Sequence, residues 1–363
     1  MTSALWPGGG RHGLTAEVID IVLRARGVLT TGLVATVSAS PIGTGQMAES
    51  TRLTLGYDGL SDGPASLVAK SPSRDPGSRA VGKAFRAYEV EVQFYRELAP
   101  TLGVNCPTSY LAEIDLDGSE FILLLEDLAP AVAGDDLAGC APGLAERVIE
   151  EAVAFHSPRW GDRTLEAIGW LNRNSLDSAA RVSDALEAVF PLFLERFGAG
   201  LGDDHRAGLE RSARCADRWW RGDGGPRTIA HGDLRLDNLM LGPAAEDLWI
   251  VDWQTAVLGN GVADISYFLG GSLLPEVRQG AEVELVRDYF ERLCRAGVEG
   301  FSWDQCWRQY RWGALHGVFL TVGAAMLVEQ TERGDRMFLS AIGRHMCHAL
   351  ELEALDLVEA AEA

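Results

Sequence analysis

The chain has 363 residues, of which 47% are hydrophobic and 23% are charged. This composition is typical of a globular protein and excludes a disordered chain, and no uninterrupted apolar run is long enough to span a bilayer. The net charge of −20 argues against nucleic acid as the main partner, because a phosphate backbone needs a basic surface. A surface this acidic either maintains solubility or favours neutral and cationic substrates.

Cysteine and lysine usage adds two constraints. The six cysteines are far apart and form no CxxC pair, so neither a disulfide framework nor a zinc site is expected, and the cytoplasm is the expected location. Residues 1–12 contain no apolar signal-peptide core. Of the 32 basic residues only Lys70 and Lys83 are lysine. This hints that Lys70 occupies a position that the wider guanidinium group of arginine would not suit.

The first part of the chain is rich in predicted strands. An amphipathic helix is predicted at residues 14–26, with Thr15 as its N-cap. Residues 71–79 are polar and predict a loop, whereas residues 84–98 repeat apolar side chains at helical spacing and predict a helix. Stretches of β-prone residues bounded by turn signals predict strands at residues 34–39, 50–57, 66–70, 109–113 and 121–126.

From about residue 144 onward the pattern is mainly helical, apart from a β-prone interruption at residues 227–253. We therefore predict an α+β protein of two lobes. Residues 1–127 would form a small β-rich lobe with one key helix, and residues 128–363 a larger, mainly helical lobe.

The β-prone interruption carries the residues with the clearest chemistry. The sequence HGDLRLDN occupies residues 231–238, and the apolar stretch 248–251 ends at Asp252. Phosphoryl transfer needs a carboxylate that orients the attacking hydroxyl, oxygen ligands for Mg²⁺ and a cation for the phosphates. Asp233, followed five residues later by Asn238, and Asp252 supply the first two requirements. A carboxylate at the end of a buried strand is also costly without a cation partner.

Lys70 ends a short predicted strand, and three glutamates lie on the helix that follows it. On a helical wheel Glu91 falls inside the apolar arc, Glu89 lies at its edge and Glu97 lies on the polar side. An inward-facing carboxylate needs a cation, so we predict that Glu91 pairs with Lys70. The open alternative is a glutamate at the edge of the helix that is solvated by water.

HGDLRLDN followed by IVDWQ resembles the catalytic and metal-binding loops of the aminoglycoside phosphotransferase and choline-kinase-like superfamily. The likeness is nearer to its ecdysteroid-kinase-like branch and to the kinase-like domains fused to some acyl-CoA dehydrogenases. It extends over roughly residues 14–345. The resemblance implies a two-lobed protein-kinase-like fold, ATP and Mg²⁺ as cofactors, and a hydroxyl group of a small molecule as the phosphate acceptor.

The resemblance also implies a role for each residue of the pattern. Asp233 would be the catalytic base, and Asn238 and Asp252 would be the magnesium ligands. Lys70, held by Glu91, would position the phosphates of ATP.

Further positions follow from the same resemblance. Gly43 and Gly45 would lie in the loop over the ATP phosphates, where glycine lets backbone amides approach phosphate oxygens. The main chains of Glu126 and Leu128 would pair with the adenine edge. Arg235 would either touch the transferred phosphate or pair with a neighbouring acid, and both interpretations stay open.

Four residues are expected to have mainly structural roles. His231 is expected to be a buried residue of the catalytic loop, and His156 and Trp160 are expected to pack in the core or in loops. Asp264 matches an aspartate that caps the next helix and braces the catalytic loop in the resembling family. An ordinary N-cap is a compatible alternative.

Rival functions remain at this point. A pseudokinase would bind nucleotide without turnover, but every residue of the pattern is present. A protein kinase lacks support because no activation segment follows Asp252, and a metallohydrolase would need more ligands than His231 and Asp233. We expect a neutral or cationic acceptor, because the chain is acidic, both lysines precede residue 127 and the second part is rich in tryptophan.

Overall fold

A computed structural model describes two compact units. The first comprises the described residues up to Thr101, together with Asn105–Ala131 and Val251–Thr255. The second comprises Leu102–Val104, Val132–Ile250 and the described residues from Ala256 onward. The short stretch that contains Asp252 therefore belongs to the first unit. The described residues are 13–43, 47–173, 176–244, 246–327 and 330–361, without the side chains of 176–183.

The first unit is built on a five-stranded antiparallel sheet. Helix α1 (Ala16–Ala25) starts at Thr15, whose side chain accepts a hydrogen bond from Val18 N, so the predicted helix and its cap are confirmed. Apolar side chains of this helix and of one face of the sheet share a buried core. The strands are β1 (Leu33–Ile42), β2 (Ala48–Asp58), β3 (Ser66–Pro72), β4 (Ser109–Ile114) and β5 (Phe121–Glu126), in the spatial order β1-β2-β3-β5-β4.

The segment between β3 and β4 differs from the sequence-based prediction. The predicted loop at residues 71–79 is wrong in its second half, because helix α2 (Pro76–Ala84) begins there after the N-cap Asp75. The sequence Asp-Pro carries this signal, since aspartate caps a helix and proline suits its first position. The predicted helix at 84–98 starts later, as α3 (Ala87–Gln93), because Arg86 adopts a φ of 55°. A π-helical turn at Phe94–Leu98 completes it.

The second unit is mainly helical, as predicted. Its short strands pair in two antiparallel groups, β6-β8-β9 and β7-β10. The helices are α4 (Pro142–His156), α5 (Leu176–Phe197), α6 (Asp203–Arg221), α7 (Gly261–Ser272), α8 (Pro275–Arg295), α9 (Trp303–Leu327), α10 (Glu332–Glu351) and α11 (Ala354–Glu359). The strands are β6 (Val132–Ala133), β7 (Thr228–Ala230), β8 (Leu239–Leu241), β9 (Leu248–Ile250) and β10 (Val257–Gly259).

Helix α7 lies at the centre of the second unit and is buried along almost its whole length. The predicted fold class, α+β with a β-rich first part and a helical second part, is confirmed. Among the described residues, no helix combines the length and the apolar character that crossing a membrane requires.

Candidate active site

Lys70 lies near the end of β3 and is the cation of a buried cluster in the first unit. Its Nζ atom donates hydrogen bonds of 2.7 Å to Glu91 on α3 and of 2.7 Å to Asp252 Oδ1. The predicted Lys70–Glu91 ion pair is therefore present. Glu89, the alternative at the edge of the helix, pairs instead with Arg86 at 2.7 Å.

One ammonium pairs with two carboxylates in this cluster, and the pKa values of Lys70 and Glu91 are both raised. Burial alone would lower the pKa of Lys70, but the nearby charges of Asp252 and Glu91 outweigh it and raise the pKa. Burial raises the pKa of Glu91 to about 7, against the opposing charge of Lys70. The side chain of Glu91 is 2% exposed, whereas that of Asp252 is 29% exposed, so burial acts mainly on Glu91.

Asp252 lies two residues after the end of β9 and adopts an unusual backbone conformation. Its φ of 66° lies in the left-handed region, which costs free energy for a residue other than glycine. The next residue, Trp253, is fully buried and stacks on Phe94 with the ring centroids 3.9 Å apart and an interplanar angle of 6°. This stacking fixes the chain immediately after Asp252, which keeps the carboxylate next to Lys70.

Asp233 in the second unit is held by donors on both of its carboxylate oxygens. Asn238 Nδ2 donates to Asp233 Oδ2 at 3.0 Å and to the Asp233 backbone oxygen at 2.8 Å. Tyr267 Oη donates to Asp233 Oδ1 at 2.9 Å. Sequence reasoning missed Tyr267, although its position three residues after Asp264 places both side chains on one face of α7.

Arg235 pairs with acidic side chains, which is one of the two interpretations left open by the sequence. Its Nη1 atom lies 2.6 Å from Asp136 Oδ2 and 2.9 Å from Asp237 Oδ2, and its Nε atom lies 3.4 Å from the Asp233 carboxylate. Burial raises the pKa of Asp136 to about 6, against the opposing charge of Arg235. No local pattern marked Asp136, because it lies in a loop about a hundred residues before Arg235 in the chain.

The loop that contains Asp136 approaches the catalytic loop closely. Asp136 Oδ1 accepts a hydrogen bond of 3.0 Å from Leu236 N. At Gly134 an added Cβ atom would lie 2.5 Å from the Leu236 backbone oxygen, so only glycine fits there. Arg344 Nη1 donates a hydrogen bond of 2.6 Å to the Asp136 backbone oxygen, which attaches this loop to α10.

Asp264 lies on the first turn of α7 and braces the catalytic loop by hydrogen bonds to its backbone. Its carboxylate, 2% exposed, accepts hydrogen bonds from His231 N at 2.6 Å, Gly232 N at 2.9 Å and His156 Nε2 at 3.2 Å. Burial opposes ionisation, but the hydrogen bond and charge of His156 outweigh it and lower the pKa of Asp264. The N-cap of α7 is Asn260, so the expectation that Asp264 caps the helix is wrong and the bracing contact is present.

The histidines behave as the sequence predicted. His231 and His156 are both fully buried. The Nδ1 atom of His231 accepts a hydrogen bond of 3.2 Å from Asp233 N, so it stabilises the turn of the catalytic loop. Gly232, between them, has a φ of 80°, a conformation that glycine adopts without steric cost.

The described positions among those predicted to contact ATP lie in the first unit. Gly43 follows β1 with a φ of 71°, and Gly45 lies outside the described residues. Glu126 ends β5, and its backbone N–H donates to Thr108 O at 2.9 Å. The backbone oxygen of Leu128 accepts a hydrogen bond of 2.8 Å from Ala131 N.

A family model described as "Phosphotransferase enzyme family" matches residues 61–311, which is more than half of the chain and includes Lys70, Glu91 and the whole catalytic loop. The chain belongs to the phosphotransferase enzyme family. The sequence-based assignment to this enzyme class is therefore confirmed.

Solved structures agree with the assignment of the fold. An aminoglycoside phosphotransferase homologue of Ralstonia eutropha has a TM-score of 0.55 at 15% identity, over 95% of this chain and 99% of that one. A choline kinase of Cryptosporidium parvum has a TM-score of 0.55 at 8% identity, over 93% and 95% of the two chains. An aminoglycoside phosphotransferase in complex with GDP and kanamycin has a TM-score of 0.52 at 16% identity, over 90% and 93%. Identities this low show a shared fold.

One curated relative shares a short stretch. Mouse acyl-CoA dehydrogenase family member 10 is 45% identical over 49 residues. The match covers 13% of this phosphotransferase and 5% of the mouse protein, so it compares one segment of each chain.

The chemistry of two residues of this phosphotransferase fits a magnesium ion. Asn238 uses its amide nitrogen for Asp233, which leaves the amide oxygen as the ligand atom. Asp252 is a partly exposed carboxylate. Mg²⁺ is commonly held by one or two protein oxygens together with waters and substrate phosphates. Within the described parts of the chain, no group of three or more His, Cys, Asp or Glu side chains forms a metal-binding cluster.

Proposed function

We propose that the protein transfers the γ-phosphoryl group of ATP, with Mg²⁺, to a hydroxyl group of a small molecule. The arrangement of Lys70 carries this proposal, because its ammonium lies 2.7 Å from both Glu91 and Asp252. Kinases of this fold need a strand lysine paired with a helix glutamate, next to an aspartate that holds the metal. An ammonium in this position neutralises phosphate charge while the glutamate prevents it from moving.

Asp233 is the residue that we propose to receive the acceptor hydroxyl. Its carboxylate orients the hydroxyl toward the γ-phosphorus, and it takes the proton as the new oxygen–phosphorus bond forms and the bond to the β-phosphate oxygen breaks. Two donors, Tyr267 and Asn238, hold the carboxylate in one orientation. Because little covalent chemistry falls to the protein, this positioning is its main contribution.

We propose Asn238 and Asp252 as the protein ligands of Mg²⁺. When bound, the ion would neutralise charge on the phosphate oxygens during transfer. Asp252 supplies the negative charge at this site, and the positive φ of its backbone fixes the direction of the carboxylate. In the first unit, Gly43, Glu126 and Leu128 are proposed nucleotide contacts through their main chains.

The charges near Asp233 favour a neutral or cationic acceptor. Asp136, Asp233 and Asp237 surround the single guanidinium of Arg235, so its charge is already compensated and does not attract an anion. The neighbouring Arg344 donates to three backbone carbonyl oxygens. The net charge of the whole chain, −20, acts in the same direction.

Aromatic side chains near the catalytic loop support the same acceptor class. His316 donates its Nε2 hydrogen to Gly232 O at 2.8 Å, and its ring lies 5.9 Å from the ring of Trp219. Aromatic faces favour apolar rings and cations over anions.

We also propose a branch of the superfamily and a cellular location for the protein. The short match to the mouse protein supports the branch that includes domains fused to acyl-CoA dehydrogenases. All six cysteines are free thiols, which agrees with a reducing compartment such as the cytoplasm.

The function is tested by coupling ATP consumption to a panel of acceptors. The panel contains aminoglycosides, choline-like amines, sterols, macrolides, sugars and anionic metabolites. We expect Mg²⁺-dependent turnover with a neutral or cationic acceptor, and a loss of about 10²- to 10⁴-fold in Asp233→Asn with nucleotide binding retained. Asp217→Asn, an exposed carboxylate paired with Arg221, is the matched control and should keep full activity.

Four results contradict parts of the proposal. Near-normal turnover in Asp233→Asn contradicts the assignment of the base. An acceptor of net negative charge with the highest kcat/KM contradicts the electrostatic argument alone. Nucleotide binding without turnover across the panel favours a pseudokinase, and phosphorylation of a peptide favours a protein kinase.

The nucleotide site is tested separately by chemical labelling. An acyl phosphate of ATP acylates a lysine amine close to the bound phosphates, releasing ATP. Because the chain has only Lys70 and Lys83, peptide mass spectrometry distinguishes them directly. We expect acylation of Lys70 that excess Mg·ATP prevents, while any labelling of Lys83 is not prevented. Equal labelling of both lysines without competition contradicts the proposed role of Lys70.

A further inference from the structure

Tyr267 is a buried phenol on α7 whose hydroxyl reaches the proposed base. Its Oη atom donates a hydrogen bond of 2.9 Å to Asp233 Oδ1, and the residue is 7% exposed. Asn238 occupies the other carboxylate oxygen, Oδ2, at 3.0 Å. Arg235 Nε is 3.4 Å away from the carboxylate and donates its shorter bonds to other acids.

The ring of Tyr267 is held by histidines from two other helices. It stacks on His345 of α10 at a centroid distance of 5.0 Å and an interplanar angle of 9°. It also meets His316 of α9 edge-on, at 5.2 Å and 88°. At Gly317 an added Cβ atom would lie 2.1 Å from the His345 ring, so the chain leaves space for this stack. The phenol therefore has one orientation, toward Asp233.

The hydroxyl of Tyr267 is a permanent donor in this environment. Burial, together with the charge of Asp233, raises the pKa of Tyr267 well above its ordinary value, so the phenol keeps its proton. Burial also lowers the pKa of His345 to about 3, so the stacked imidazole is neutral. A carboxylate accepts but cannot donate, and the proton of the bond therefore belongs to the tyrosine.

Two donors on different oxygens restrict the rotation of the Asp233 carboxylate. The terminal torsion of an aspartate is broad and roughly two-fold, so one donor alone leaves the group free to turn. Tyr267 and Asn238 together fix it, and Oδ1, whose hydrogen-bond donor is Tyr267, keeps a second lone pair for an acceptor hydroxyl. Misplacement of a catalytic group by about 1 Å can cost on the order of 10²-fold in rate.

We propose that Tyr267 is a positioning residue that fixes the Asp233 carboxylate for the acceptor hydroxyl. This inference rests on the proposed function of Asp233. A purely structural tyrosine would alter stability alone, whereas a positioning residue alters kcat and leaves nucleotide binding unchanged, because it touches neither the nucleotide nor its proposed ligands in the first unit.

The test compares Tyr267→Phe with a matched control, Tyr310→Phe. Tyr310 is also fully buried, its Oη atom bonds a carboxylate, Glu282 Oε2, at 3.1 Å, and its ring contacts a histidine, His348. Both variants lose one buried hydroxyl and keep the ring. The full chain is assayed by ADP formation from Mg·ATP, with the best acceptor of the panel and with water as the acceptor.

We expect Tyr267→Phe to lower kcat by about 10- to 100-fold with the KM for Mg·ATP changed less than about twofold. Tyr310→Phe should leave both constants unchanged and lower only the melting temperature. Rates are normalised to the fraction of molecules that bind Mg·ATP in calorimetry, so partial misfolding does not imitate the effect. Equal kcat in Tyr267→Phe and wild type overturns the inference, as does an equal loss in Tyr310→Phe.

The failure of this inference is distinguishable from failure of the proposed function. Loss of turnover in Asp233→Asn with full activity in Tyr267→Phe removes only the role of Tyr267, whereas full activity in Asp233→Asn removes the function on which it depends. If wild-type turnover is absent, the four proteins of the Asp233→Ala and Tyr267→Phe double-mutant cycle are compared by urea unfolding. Non-additive midpoints support the contact, and additive midpoints overturn the inference.

Discussion

Replacing Lys70 by methionine removes the ammonium that pairs with two carboxylates, Glu91 and Asp252. We predict that Lys70→Met destabilises the apo protein strongly at high pH and less at neutral pH. The reason is that Glu91 has a side chain only 2% exposed and would remain in the core without its cation. Asp252, which is 29% exposed, can still be stabilised by water.

The size of the destabilisation follows from the cost of leaving one member of a buried ion pair without the other. Removing one partner of a buried ion pair costs about 3–5 kcal/mol of unfolding free energy. Glu91 limits that cost by binding a proton. Its pKa in the wild type is about 7, and without Lys70 we expect a higher pKa because no cation opposes the effect of burial.

The direction of the pH dependence follows from this raised pKa. The folded state holds a proton on Glu91 at a pH where the unfolded state, with a pKa of about 4.3, does not. The stability from this group is therefore present at low pH and is lost as the pH rises through the folded pKa. In the wild type that loss extends from about pH 4.3 to about pH 7 and then ends, whereas in Lys70→Met it continues at higher pH. The difference in stability should grow between pH 7 and pH 9 by up to about 1.4 kcal/mol per pH unit.

The measurement is urea unfolding of the apo protein at pH 7 and pH 9, followed by circular dichroism. Lys83→Met is the matched control, because Lys83 is the other lysine and its side chain is 46% exposed, 3.3 Å from Asp117. We expect a change within about 0.5 kcal/mol for this control, as for most surface substitutions.

Two outcomes would refute the reasoning about Lys70. One is a destabilisation that is equal at pH 7 and pH 9, and the other is a cost no larger than that of Lys83→Met. Adding Glu91→Gln to Lys70→Met should abolish the additional pH dependence, because no carboxyl group then remains at that position.

Three further predictions concern the same site. Lys70→Arg should lose activity, because a planar guanidinium is wider than the ammonium between Glu91 and Asp252; wild-type turnover in this variant would show that the scarcity of lysine is uninformative. Asp252→Ala should weaken Mg²⁺-dependent nucleotide binding more than Asn238→Ala, since Asp252 carries the charge; unchanged affinity of both in isothermal titration calorimetry contradicts the metal site. Asp264→Asn should lower the free energy of unfolding by about 2–4 kcal/mol, because the amide cannot accept all three hydrogen bonds; an unchanged urea midpoint contradicts the bracing role.

The secondary structure was predictable wherever local pattern and local chemistry agree. Helix α1 and its cap at Thr15 follow from residues within one turn of each other. Helix α2 was missed because a polar composition was interpreted as a loop, although Asp75 and Pro76 carry a helix start signal. The break at Arg86, with a φ of 55°, has no local sequence signal of the kind that a glycine or proline would provide.

Part of the site was predictable for the same reason. The helical periodicity of α3 places Glu91 inward, and a buried carboxylate requires a cation, so its pairing with Lys70 follows from elementary electrostatics. The spacing of Asp233, Asn238 and Asp252 predicts the chemistry of phosphoryl transfer. Their roles in catalysis and metal binding stay predictions that the proposed experiments test.

The sequence by itself determined the family, the fold class and the residues with the clearest chemistry, because these depend on short-range spacing and periodicity. Only the tertiary structure decided which groups surround Asp233. Tyr267 follows it by more than thirty residues and Asp136 precedes it by nearly a hundred, and the two reach the catalytic loop from α7 and from the loop after β6. Such contacts depend on how helices pack and where loops close, and the residue types involved are common everywhere in a chain, so no local pattern marks them.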